Sequence, residues 1–153
     1  MKRLLSRVAI LFLTFTVGFT ATYLFHKFYI QFECTAMGAI RVNPDGHGRS
    51  YAYKSYDGVD LGCGGAIFPS HESAEAAFRN ALNDAVRIIE REPIYDSKGC
   101  NVVGERVVLI LPPNEMVKTE RAAVIWLNDR SLGFIHSPSL RHVLAFEKVR
   151  DQY

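Results

Sequence analysis

The amino-acid sequence predicts an α+β fold: one N-terminal transmembrane helix followed by a small antiparallel sheet packed by a long helix, with a C-terminal helix. Three observations support this prediction. An uncharged N-terminal segment is long enough to cross a bilayer. A central region repeats apolar residues at helical spacing, and short apolar runs bounded by turn residues lie on both sides of it.

The N-terminal segment has the composition of a membrane-spanning helix. Residues 8–25 carry no charged side chain, and the largely apolar stretch runs from Val8 to Ile30. About 20 mainly apolar residues suffice to cross the hydrocarbon core. Because basic residues precede the stretch, we expect a cytoplasmic tail at residues 1–7, a signal anchor at 8–30 and a periplasmic or extracellular domain at 31–153. The alternative is a cleaved secretory signal, which shares the basic start and apolar core.

The first elements after the anchor are predicted to be a hairpin and a glycine-rich loop. The turn sequence at residues 43–48 predicts a hairpin between strands at 39–42 and 49–56. Residues 57–65 contain four glycines, but their spacing differs from that of phosphate-binding loops. We therefore interpret residues 57–65 as a structural loop.

A long amphipathic helix is predicted from Ser70 to Arg91. Ser70 is a suitable N-cap, and apolar residues then recur three and four positions apart, which places them on one face. Pro93 ends the helix, because proline lacks the backbone N–H that a helix interior needs. The many alanines on the apolar face indicate close packing against a sheet.

The C-terminal third is predicted to contain three strands and a helix. Strands are expected at residues 102–111, 122–127 and 132–136, and the first of these is apolar on both faces, as in the centre of a sheet. Ser137 and Pro138 then begin a last helix. A strand over residues 142–147 is the alternative, since short apolar runs suit either element.

The charge distribution argues against nucleic-acid binding. The formal net charge is +2, yet residues 31–153 contain 14 Lys and Arg against 16 Asp and Glu. The basic excess therefore lies in the N-terminal segment, and no basic patch of the kind that binds nucleic acid is expected in the domain.

The three cysteines, Cys34, Cys63 and Cys100, all follow the predicted anchor. On the oxidising side of a membrane, disulfides persist, and we expect the pair Cys63–Cys100 because both residues lie in glycine-flanked segments around the long helix. Cys34 would then be free to link two copies into a homodimer.

Candidate chemistry is sparse. Cys63 between glycines is a candidate nucleophile, with His136 or His142 as its base. No metal or cofactor is expected: His71 and Glu72 begin a metalloprotease-like motif, but position 75 is Glu where the second histidine ligand belongs.

The absence of a catalytic motif favours a non-enzymatic function. We expect a membrane-anchored extracytoplasmic interaction or assembly module with a protein partner and no nucleic acid. One alternative is an extracytoplasmic thiol enzyme or hydrolase centred on Cys63 and a histidine. The other is a secreted soluble binding protein, left after removal of the signal.

Overall fold

The structure, a computed structural model, describes residues 31–115 and 117–150, which form one antiparallel sheet with a helix on each face. The strands are β1 (Phe32–Val42), β2 (Gly46–Ser55), β3 (Asp60–Ile67), β4 (Arg87–Tyr95), β5 (Val102–Leu111), β6 (Arg121–Asn128) and β7 (Ser131–Ser137). The helices are α1 (His71–Asn83) and α2 (Leu140–Val149).

The strand order is β1-β2-β3-β7-β6-β5-β4. Two meanders, β1 to β3 and β4 to β7, are each built from neighbours in sequence. The antiparallel pairing of β3 with β7, which sets Cys63 opposite Ile135, joins them. β1 and β4 are therefore the two edges of the sheet.

Each helix covers a different face of the sheet. Ser70 caps α1 by accepting a hydrogen bond from the Ser73 N–H at 3.1 Å, and α1 buries Phe78 against a core that includes Val107. Because neighbouring residues of a strand point to opposite faces, Arg106 lies on the other side, where it bonds Glu147 of α2. We call the two sides the α1 face and the α2 face.

The predicted fold class, a small antiparallel sheet packed by a long helix, is wrong. The sheet has seven strands, and the central helix is shorter than predicted. The helix ends at Asn83, and residues 87–91 of the predicted helix belong to β4, which pairs with β5. Ile88 and Ile89 are 40% and 43% exposed, so their helical spacing does not mark a buried face. Pro93 is tolerated in this strand because an edge strand does not need every N–H for pairing.

The glycine-rich segment predicted as a loop is mostly strand β3. Gly62 and Gly64 leave space on the α1 face that is filled from the neighbouring strand β7. A Cβ atom at Gly62 would lie 2.5 Å from His136 Nε2, and one at Gly64 would lie 2.7 Å from Phe134 Cζ. Aromatic rings that cover glycines in this way stabilise strand pairing.

Other predicted elements are confirmed. β1 and β2 pair as a hairpin around residues 43–45, although β1 begins earlier than predicted, at Phe32. β5 has the predicted bounds, and β6 and β7 agree to within one residue at each end. The C-terminal helix is α2, so the alternative of a strand at residues 142–147 is wrong. The predicted start at Ser137 and Pro138 is also wrong, because Ser137 ends β7 and Ser139 is the N-cap.

The structure gives no support to a membrane anchor. Across residues 31–115 and 117–150, neither helix has the length and apolar character needed to cross a membrane. The cytoplasmic tail at residues 1–7 and the span from Val8 to Ile30 lie outside the described residues.

The predicted disulfide is also wrong. Cys34, Cys63 and Cys100 are all free thiols. Cys63 lies on β3, whereas Cys100 lies in the turn between β4 and β5, with β7 and β6 in between. At about 4.8 Å per strand, their Cα atoms are about 14 Å apart or more. A disulfide requires Cα atoms within about 7 Å.

Candidate functional site

A groove of about 540 Å³ opens on the α2 face, where the C-terminal end of α2 meets the sheet. Its walls combine aromatic, thiol and basic side chains from both meanders, and we call it the α2 groove. The lining residues include Cys34, Met37, Tyr51, Cys63, Trp126 and Arg150.

Strand alternation places these side chains together. Tyr51 and Tyr53 are two positions apart on β2 and share the α2 face, where Tyr53 packs against the Phe146 ring at 4.7 Å between centroids. Cys63 is the register partner of Tyr51 on β3. The two tyrosines and the thiol therefore form a continuous patch beside α2.

Trp126 forms the wall on the side of the C-terminal meander. Its indole lies over Gly133 of β7, where a Cβ atom would come within 2.1 Å of the ring, so only glycine accommodates this placement. The Arg150 guanidinium lies over the indole ring, with its central carbon 4.1 Å from the ring centroid. Such cation–π contacts favour Arg over Trp and set a positive group beside an apolar surface.

The open side of the α2 groove is basic. The α2 face of β1 to β3 contains no acidic side chain. Apart from the buried Phe32 and Ser55, its residues are Cys34, Met37, Ala39, Arg41, His47, Arg49, Tyr51, Tyr53, Leu61, Cys63, Gly65 and Ile67. Arg41 and Arg49 are exposed. Neither of them forms an ion pair with another residue of the described part of the chain.

The structure does not bring the candidate nucleophile Cys63 to a histidine. His136 lies over Gly62 on the α1 face, whereas Cys63 lines the α2 groove on the other face. Burial and the nearby Arg121 lower the pKa of His136. Both ring nitrogens of His142 are engaged elsewhere, by Ser139 and Asp57.

Cys63 is also a poor nucleophile at neutral pH. Burial, assisted by the Cys34 thiol, raises the pKa of Cys63 from 9.0 to about 11. Because the thiolate is the reactive form, a shift of this size reduces the thiolate fraction near neutral pH about a hundredfold.

Thiol alkylation tests this assignment. With iodoacetamide at pH 8, Cys34 and Cys100, which are exposed, are expected to react at least about tenfold faster than Cys63. The alkylation rate at Cys63 should keep rising up to a pH of about 11, because its thiolate becomes the main form only when the pH reaches the pKa. Peptide mapping by mass spectrometry gives the three rates in one sample. Equal rates at pH 8 would contradict the burial argument and restore Cys63 as a candidate nucleophile.

A second polar cluster ties the β2–β3 connection to the start of α2. His142 Nε2 lies 2.9 and 3.0 Å from the carboxylate oxygens of Asp57, and His142 Nδ1 lies 2.8 Å from Ser139 Oγ. Hydrogen bonds from the Ser55 hydroxyl and from His142 hold the pKa of Asp57 below its ordinary value. Ser139 is the N-cap of α2 but makes no capping bond with its side chain, since its hydroxyl meets the imidazole instead.

The Ser139–His142–Asp57 order matches that of serine hydrolases, but the α2 groove lining includes none of the three. His142 is buried and packs edge-on against Phe32, with ring centroids 6.4 Å apart. The cluster therefore positions α2 over the sheet. Sequence reasoning singled out His142 without its partner, because Asp57 is 85 residues away.

Residues 31–115 and 117–150 contain no cluster of metal-ligating side chains. No group of three or more His, Cys, Asp or Glu side chains there is arranged to hold a metal ion. His71 instead contacts the Asp129 carbonyl oxygen, 2.9 Å from its Nδ1.

Known proteins offer no guide to the site. No family model, curated protein sequence or solved structure matches this chain. The function is therefore inferred from the side chains of the α2 groove alone.

Proposed function

We propose that the protein is a non-enzymatic interaction module that binds a partner through the α2 groove, and that the bound group is apolar with an adjacent carboxylate. The supporting observation is that an aromatic groove opens onto a basic surface, because the α2 face of β1 to β3 carries Arg41 and Arg49 and no acidic side chain. Among the described residues, His136 lies on the α1 face and both ring nitrogens of His142 have other partners, so the alternative thiol enzyme is not favoured.

The size and composition of the groove suit an apolar group. About 540 Å³ falls within the range of pockets that take small ligands or single large side chains. Tyr51, Trp126 and Met37 offer apolar surface, and burying one aromatic side chain against such surface contributes about 1.5–3 kcal/mol. Met37 is 76% exposed, so part of this apolar surface is accessible to a ligand.

The basic surface selects the charge of the bound group. Arg41 and Arg49 lie on the α2 face beyond the aromatic residues, and each side chain is exposed. A carboxylate next to the apolar group can accept charge-assisted hydrogen bonds from them, which contribute more than neutral ones. A cationic group would meet two arginines and no acidic side chain on the α2 face of β1 to β3.

The single tryptophan of the sequence, Trp126, gives a direct assay. The probe is 1-anilinonaphthalene-8-sulfonate, which is apolar and anionic. We expect saturable binding with energy transfer from Trp126, because the probe would occupy the groove that the indole lines. Tyr51→Ala should weaken binding about tenfold, which is about 1.4 kcal/mol, and Arg49→Gln should weaken it several-fold.

The matched control is Tyr95→Ala. Tyr95 is an exposed tyrosine on β4, at the opposite edge of the sheet, and its loss should leave probe affinity unchanged. Circular dichroism of each variant excludes unfolding as the cause of weaker binding. Absence of saturable binding, or equal affinities for Tyr51→Ala and the parent protein, would refute the proposed groove.

A further inference from the structure

The two edges of the sheet differ in how well they resist pairing with another strand. β4 contains Pro93 and four charged side chains, Arg87, Glu90, Arg91 and Glu92. Proline and charge are the usual means by which proteins protect an edge strand from pairing. β4 is thus a protected edge.

β1 lacks this protection. Residues 34–40 contain no proline and no charged side chain, and residues 33–39 are all exposed. The register with β2 shifts between Cys34 and Ala36, which leaves Thr35 as a bulge. Residues 36–42 beyond it pair regularly with β2. The backbone N–H and C=O groups of this segment that point away from β2 therefore form a regular strand edge seven residues long.

The unprotected edge borders the α2 groove. Met37 of β1 lines the groove, and Ala39 and Arg41 follow it on the same face. A strand added outside β1 would lie about 4.8 Å beyond it. Every second side chain of that strand would then lie over the groove and the basic surface.

We propose that the partner is an extended peptide that pairs with residues 36–42 of β1 as an eighth strand and places an apolar and an acidic side chain on the α2 face. This inference rests on the proposed function and names its partner class. Main-chain hydrogen bonds to the edge supply affinity, and alternate side chains supply specificity, as in other cases of strand addition.

The charges select the side chains of the peptide. Side chains two positions apart in a strand share a face and are about 6.8 Å apart. An apolar residue beside Met37 therefore brings the next side chain on that face towards Arg41, with Arg49 one strand further in, opposite Ala39. Acidic residues at such positions neutralise both arginines.

A second copy of this chain is a poorer occupant of the edge. Antiparallel self-pairing of residues 36–42 would set Met37 opposite Arg41 of the other copy and keep the α2 faces of both copies on one side. The arginines of the two copies would then lie on one surface without an acidic residue from either β1 strand. The charges remain unneutralised, whereas an acidic peptide neutralises them.

The test uses a seven-residue acetylated and amidated peptide, Thr-Phe-Thr-Glu-Thr-Glu-Thr, in which phenylalanine and the glutamates stand two positions apart and therefore share one face of the strand. Its control has the same side chains but carries methyl groups on alternate backbone nitrogen atoms, which blocks strand pairing. We expect the parent peptide to bind saturably and to slow hydrogen exchange of amides in residues 36–42. The methylated peptide should bind at least tenfold more weakly, and a peptide with lysine in place of glutamate should bind more weakly than the parent.

Two protein variants separate the edge from the rest of the surface. Ala39→Glu adds an acidic side chain to the α2 face of β1 and should weaken the parent peptide at least tenfold. Ile88→Glu adds the same charge to β4, at the opposite edge, and should leave affinity unchanged.

The outcomes distinguish this inference from the proposed function. If the anilinonaphthalene probe binds the groove but the peptide leaves β1 exchange unchanged, or the methylated peptide binds equally well, strand addition is overturned and the groove proposal stands. If neither probe nor peptide binds, both fail. Concentration-dependent protection of β1 without peptide would assign the edge to a second copy and overturn the peptide assignment.

Discussion

Replacing Gly48 with alanine is expected to destabilise the fold by about 3 kcal/mol. A Cβ atom at Gly48 would lie 1.7 Å from the carbonyl oxygen of Gly65 and 2.7 Å from Cα of Ala66. Both contacts are with the backbone of β3, so no side-chain rotation relieves them. β2 and β3 would have to separate, which costs pairing next to the α2 groove.

Gly38→Ala is the matched control for this prediction. Gly38 is also a strand glycine, on β1, but a Cβ atom there meets nothing within 4 Å. Because alanine restricts the unfolded chain more than glycine does, the change should be neutral or stabilising by up to about 1 kcal/mol. Urea denaturation followed by Trp126 fluorescence measures both variants. Equal stabilities would contradict the close approach of β2 to β3.

Removing the Arg106 guanidinium is expected to cost about 3 kcal/mol. Its Nε and one terminal nitrogen each lie 2.6 Å from a carboxylate oxygen of Glu147 on α2, and the other terminal nitrogen lies 3.1 Å from both Glu90 and Glu92. The Arg106 and Glu147 side chains are only 20% and 18% exposed. The carboxylate of Glu147, assisted by Glu90, raises the pKa of Arg106. Arg106→Gln would leave three carboxylates without their shared cation.

An exposed ion pair on the α1 face provides the comparison. Arg91 and Glu105 also form a two-bond pair, at 2.7 and 2.9 Å, but they are 50% and 33% exposed. Arg91→Gln should therefore cost less than about 1 kcal/mol. The double variant Arg106→Gln with Glu147→Gln should recover part of the stability that Arg106→Gln loses, because it also removes one of the three carboxylates left without a cation. Thermal and urea unfolding of the four variants, including Glu147→Gln, complete the cycle.

Local sequence signals predicted much of the C-terminal meander and misplaced the middle of the chain. β5 was predictable because Val107 to Leu111 is a continuous apolar run, as expected in the middle of a sheet. Ile88 and Ile89 continue the apolar spacing of α1, and this spacing predicts a helix over residues 87–91, which belong to β4. Only the sheet topology shows that this segment is an exposed edge.

The α2 groove was beyond local prediction because its residues meet only through long-range pairing. Tyr51 and Tyr53 are two positions apart, which places both on one face of a strand, but their spacing does not show which residues lie beside them. Trp126 and Arg150 come from the other meander. β3, which connects the two sets, lacks an apolar strand signal because His136 and Phe134 of β7 fill the space over its glycines.

The junction between β3 and β7 also determines the order in which a binding-competent molecule can fold. Pairing Cys63 with Ile135 closes a loop of roughly 70 residues, whereas each meander forms from contacts between sequence neighbours. Such long-range closure is entropically costly and slow compared with local pairing. Tyr51 and Trp126 come together across this junction, so a molecule in which only the two meanders have folded has no groove. A ligand of the groove would therefore bind only after the junction closes, and it would slow the reopening of the sheet.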